Sequence, residues 1–213
     1  LAAGAERNGP VAQSTERFAT GADLGALVYE RTATILLTLG RVYGDARVRQ
    51  AVGRYARRYR FQHPTPDDFI ASFRETMGDE VAATLRAALF DRGTVDYLVG
   101  GVTSWPDEAK KGIFGDPDHP KDAPPGEPGS YRGEVLVRRR GALVFPVDVE
   151  MIDARGGRQR VRWDAREDHA RLPYAGKAAL VAAVVDPDHR VLLDDDLANN
   201  ARRVHRGVLS ARV

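Results

Sequence analysis

The 213-residue chain contains no cysteine, which excludes a disulfide scaffold, a cysteine-ligated zinc site, an iron–sulfur cluster and a thiol nucleophile, and leaves the redox compartment open. It also lacks a dominant sign of charge. The 32 basic and 30 acidic residues leave a net charge of +2, and the balance holds on both sides of Gly93, with 13 basic against 11 acidic residues up to that point and 19 against 19 beyond it. Nucleic-acid modules concentrate positive charge on one face, and the only dense basic stretch here, Arg47 to Arg60, has acidic neighbours, so no nucleic-acid partner is expected. No apolar run approaches the roughly 18 residues needed to cross a bilayer. The chain opens at Leu1 without the pattern of a signal peptide, and we read it as a fragment or a processed chain whose location is open.

Catalytic signatures are missing as well. There is no HExxH, no GxSxG elbow, no GxxxxGK[ST] phosphate loop and no GxGxxG. The histidines, His63, His119, His169, His189 and His205, are scattered with no i, i+4 pair that could grip a metal from one helix face. Asp194-Asp195-Asp196 lacks the spaced oxygens and glycine of a calcium loop and reads as a solvated strand end.

What is present is enough apolar material for a core: 43% of the residues are hydrophobic, and a chain of this length buries roughly 70% of its unfolded surface. Residues 1 to about 22 show little periodicity, as expected of a mobile start or of a segment that leans on something missing. From there Leu27, Ile35, Leu36, Leu39, Val42 and Tyr43 recur at helical spacing, predicting a helix from about Leu24 to Tyr43 stopped by Gly44. Val48, Val52, Tyr55 and Tyr59 form the apolar stripe of a second helix whose arginines are expected to face solvent. Thr65-Pro66-Asp67-Asp68 reads as a helix start, with threonine at the N-cap, proline where its missing N–H costs nothing and two carboxylates at the positive helix end. Phe69, Ile70, Phe73 and Met77 give that helix its apolar face, and Val81, Leu85, Ala88 and Leu89 predict a further one up to Gly93.

Beyond Gly93 the period falls towards two. Strands are predicted at Asp96 to Val102, Glu134 to Arg138, Leu143 to Ile152, Gln159 to Trp163, His169 to Pro173, Ala178 to Val185 and Val191 to Leu193. Between the first two, Ser104 to Gly129 holds six of the twelve prolines and reads as one long loop. The fold class expected is therefore α+β, with about four helices over residues 1–93 followed by an antiparallel, Ig-like β-sandwich over residues 94–213.

One resemblance gives this arrangement a function. The string Leu27-Val28-Tyr29-Glu30-Arg31-Thr32-Ala33-Thr34-Ile35-Leu36-Leu37-Thr38-Leu39 resembles the V-Y-x-K-G-A segment and adjoining amphipathic helix of M1-family zinc aminopeptidases. The aromatic stretch Tyr55 to Phe61, the helix start at Thr65, the strands around Val135 to Arg139, Phe145 to Glu150 and Val184 to Asp188, and the segment Asp194 to Asn200 are similar to the elements downstream of that segment in the family. The resemblance implies that Tyr29 is catalytic, its hydroxyl stabilising the oxyanion of the tetrahedral intermediate. Arg31 and Thr32 depart from the family's lysine and glycine, and the zinc motif and substrate-amine motif are absent. The chain is then expected to be the C-terminal part of a longer zinc aminopeptidase, supplying Tyr29 and a structural sandwich, with no metal or cofactor-binding residue of its own and no activity alone. Zinc, the peptide substrate and the upstream catalytic segment belong to the parent. The other reading is a non-catalytic, peptidase-like interaction module.

Overall fold

The computed structural model describes residues 9–107, 114–116, 119–121 and 129–204. The architecture is α+β, with helices preceding two antiparallel sheets. Among the described residues the helical half comprises α1 (Gly21–Leu24), a π turn (Gly25–Arg31), α2 (Thr32–Tyr43), α3 (Asp45–Arg58), α4 (Pro66–Met77) and α5 (Asp79–Phe90). α1, the π turn and α2 run on as one helix, so the element expected from Leu24 is present but not purely α. Gly44 (φ +108°) and Gly78 (φ +96°) supply the left-handed backbone at the breaks between helices. At the start of α4 the expected cap is a full capping box: the Asp68 amide donates to Thr65 Oγ1 (3.3 Å) and the Thr65 amide to Asp68 Oδ2 (2.8 Å).

The described start of the chain leans on the helical half itself. The amides of Val11 and Ala12 both donate to Leu89 O at 2.8 Å, so these residues are pinned to the end of α5 and pack against the core. The arginines of α3 also do more than face water. α3 lies against α4, and Arg54 and Arg58 grip the two oxygens of Glu75 at 2.9 and 2.8 Å, while Arg47 donates to Met77 O.

The β half consists of β1 (Asp96–Pro106), β2 (Phe114–Asp116), β3 (His119–Lys121), β4 (Tyr131–Arg140), β5 (Val147–Asp153), β6 (Arg158–Trp163), β7 (His169–Gly176), β8 (Leu180–Val185) and β9 (Ala201–Arg203). One sheet has the order β1-β4-β7 and the other β6-β5-β8-β9, with β2 and β3 forming a separate hairpin. Inward residues of the two sheets, among them Tyr97, Val99, Val135 and Val137 from the first and Val149, Met151, Ala183 and Val185 from the second, meet in one core that continues into Ile35, Leu39, Phe73 and Leu85 of the helices.

Three strand boundaries move for reasons of hydrogen bonding. β1 runs on through Ser104 to Pro106, paired with Gly133 to Tyr131, and β2 and β3 fall inside the stretch read as one loop, of which residues 108–113, 117–118 and 122–128 lie outside the described residues. β5 begins only at Val147, because the Leu143 amide is taken by Thr94 O and the Phe145 amide by the Tyr97 hydroxyl. Val191 to Leu193 is not a strand: Asp186 Oδ2 accepts from the Val191 amide at 2.8 Å and Thr38 Oγ1 from the Leu192 amide at 3.2 Å, which takes two of its ladder donors. The last strand is instead β9, beyond a short 3-10 turn at Leu197–Asn199.

Candidate functional site

The buried positions on the helix bearing Tyr29 are Asp23, Leu27, Arg31, Ile35, Thr38, Leu39 and Gly40. Five of these, from Asp23 to Leu39, are spaced by four. In an α-helix each four-residue step overshoots a full turn by roughly 40°, so five such positions would wind around the helix by roughly 160°. The wider π turn takes up drift in the stretch that holds Leu27 and Arg31, and keeps the stripe facing the core. Single π turns inside α-helices recur at functional sites.

Tyr29 lies on the other side of this turn. It is 70% exposed, beside exposed Glu30, and its hydroxyl has no hydrogen-bond partner among the described residues. It is therefore not a core aromatic. One turn on, Ala33 is exposed, and Leu37 is 53% exposed, so the outward face of the helix carries Tyr29, Ala33 and Leu37 at i, i+4 and i+8. The N-terminal end is secured by Thr20, whose hydroxyl accepts from the Asp23 amide at 3.1 Å. The C-terminal end is secured by Arg41, which donates to His189 O at 2.9 Å, and by Thr38, whose hydroxyl accepts from the Leu192 amide.

Arg31 is the residue that reading the sequence missed. It is only 6% exposed, and its Nη2 donates to Gly93 O, between α5 and β1. Burial lowers the pKa of the guanidinium, and the charge of Asp195 acts in the opposite sense. The signal in the sequence was the four-residue spacing itself, which places position 31 among buried neighbours whatever its charge.

Other concavities lie elsewhere. One of about 1080 Å³ covers the outer side of β8 and β9, with Ile152, Val181, Val184 and Ala201 in its wall. Two of about 440 Å³ lie against Arg138 and His169 and against Asp107 and Lys177. Tyr29 lines none of these. Among the described residues no group of three or more histidine, aspartate or glutamate side chains is placed to hold a metal ion, and no described helix is long and apolar enough to cross a membrane.

No protein-family model matches the chain, and no curated protein matches its sequence. Among solved structures it is similar to aminopeptidase A of Legionella pneumophila in complex with aspartic acid, with a TM-score of 0.47 and 13% identity. That match covers 78% of this chain and 17% of the other, so the chain spans under a fifth of that neighbour's length.

Proposed function

We propose that this chain is the C-terminal part of a peptidase of the aminopeptidase type, and that Tyr29 is its contribution to the reacting centre. The observation that carries the reading is the placement of Tyr29: a phenol held out from a helix that is fixed at both ends, with its hydroxyl uncommitted. When a peptide carbonyl is attacked, negative charge develops on its oxygen, and a pre-oriented O–H donor there stabilises the transition state more than the ground state. A donor on a packed helix keeps its aim without reorganising at the moment of reaction.

The described residues do not fit a zinc site, and the sequence has no HExxH. The metal and the pocket for the substrate's amino group are therefore assigned to an upstream segment of a longer chain, and no step is routed through the metal here. In that enzyme the peptide substrate lies between the upstream segment and Tyr29.

The test uses the extended reading frame. With an upstream HExxH present, Tyr29→Phe lowers turnover of an aminoacyl amide by about 10²-fold or more, as for loss of one oxyanion donor, while the melting temperature stays close to wild type. An unchanged rate, or a frame with no zinc motif, overturns the reading and leaves the chain a non-catalytic module.

A further inference from the structure

We propose that Arg31 is a positioning residue: it holds Gly25–Arg31 in the π register and so fixes the direction in which Tyr29 presents its hydroxyl. The catalytic consequence rests on the proposed peptidase function, whereas the structural claim stands without it.

Of the five buried positions spaced by four, position 31 is the only one carrying a long cationic side chain, and burying such a head requires acceptors at a fixed place. The structure provides them on rigid ground. Gly93 O accepts from Arg31 Nη2, and Gly93 is buried in a tight place, where a Cβ would come within 2.8 Å of Leu143 Cδ2. Asp195 supplies the opposing charge, and its own backbone is tied down because its amide donates to Val95 O at 2.9 Å. The guanidinium therefore reaches across to the segment that opens the β half, with the charge of Asp195 acting in its favour, and this anchor determines how far the helix turns by residue 31.

Tyr29 precedes Arg31 by two residues and faces away from it, so the phase of the turn at Arg31 sets the azimuth of the phenol. Without the guanidinium the bond to Gly93 O is lost, and the segment can relax to α hydrogen bonding. Losing a one-residue register insertion turns the helix preceding it by roughly 100° about its axis. A phenol turned through even part of that angle no longer points at the same oxygen.

The structural arm uses this chain labelled with 3-fluorotyrosine, the Tyr29 fluorine signal being assigned by its disappearance in Tyr29→Phe. Arg31→Gln is expected to move or split the Tyr29 signal and leave that of buried Tyr97 in place, and Arg31→Lys, which keeps a donor and a charge, to restore it in part. If Arg31→Gln fails to fold, Asp195→Asn, which removes the opposing charge without altering the helix, is expected to move the same signal. An unmoved Tyr29 signal in a folded variant overturns the proposal. The catalytic arm uses the extended enzyme, where Arg31→Gln lowers kcat by between about 10- and 10²-fold with KM held and adds no further loss to Tyr29→Phe. A KM effect alone, or additive losses, also overturns positioning. If Tyr29→Phe is without effect while the fluorine signal still responds to position 31, the peptidase reading fails and the positioning claim survives.

Discussion

Tyr29 and Tyr97 lie on the leading elements of the two halves, and the fold uses them in opposite ways. Tyr97 is fully buried on β1. Its hydroxyl donates to Phe145 O at 2.7 Å and accepts from the Phe145 amide at 2.9 Å, and its ring meets Trp163 edge-on at 5.9 Å. Burial raises its pKa, and both hydrogen-bonding roles of the hydroxyl are spent on a backbone segment that has no strand partner. Tyr29 is exposed, with its hydroxyl uncommitted. A phenol in the interior is a structural connector, whereas one displayed on a braced helix is left open to whatever meets that face. Tyr43, at the far end of the helix that carries Tyr29, is a third case: its hydroxyl is buried without a partner among the described residues, and burial, with the charge of Glu80 second, pushes its pKa up to about 12.

The sharpest way to break this comparison is to remove the hydroxyls. Tyr97→Phe strands the Phe145 amide and carbonyl in the interior, and at about 1–3 kcal/mol for each unsatisfied buried group it should cost about 2–6 kcal/mol in urea unfolding. Tyr29→Phe should change stability by less than about 0.5 kcal/mol in the same experiment, and equal losses would contradict the contrast. An intermediate effect is expected from the local device of the helical half: Thr65→Ala, which removes the N-cap of α4, should cost about 1 kcal/mol. Tyr43→Phe should be the mildest of the buried changes, neutral or stabilising by up to about 1 kcal/mol, because it deletes a polar atom that has no partner.

The capping box also gives a pH dependence. The Thr65 amide, the Thr65 hydroxyl and the Tyr59 hydroxyl hold the Asp68 carboxyl below the usual carboxylate range. Its pKa is therefore lower in the folded chain than in the unfolded one, so its contribution is present above the ordinary carboxylate pKa and is lost as the pH falls through the depressed folded value. Protection of the Thr65 amide against hydrogen exchange, taken relative to the intrinsic rate at each pH, should fall on acidification across that window, and Asp68→Asn should abolish that pH dependence.

Much of the helical half was legible because its signals are local. Thr65-Pro66-Asp67-Asp68 contains the whole capping box, and the glycines at 44 and 78 sit where the backbone must turn left-handed. The β half was legible where alternation decides the face, as in Val135 and Val137, and misread where side chains take over backbone amides. Nothing near Val191 or Leu192 announces that Asp186 and Thr38 have claimed their N–H groups, because those partners lie 5 and 154 residues away. The candidate site divides in the same way. Tyr29 was found through a resemblance, but its exposure and the burial of Arg31 depend on the π turn, which only the four-residue spacing of Asp23, Leu27, Arg31, Ile35 and Leu39 foreshadows.

The apolar core runs unbroken from Leu39 of α2 to Val185 of β8, and this bears on how the chain comes apart. Both tryptophans, exposed Trp105 and buried Trp163, lie in the β half, so indole emission reports the loss of the sheets, while dichroism at helical wavelengths reports mainly the other half. With interior side chains shared between them, neither half can open without exposing apolar surface on its neighbour. The two optical melts should therefore superimpose, as one all-or-none transition.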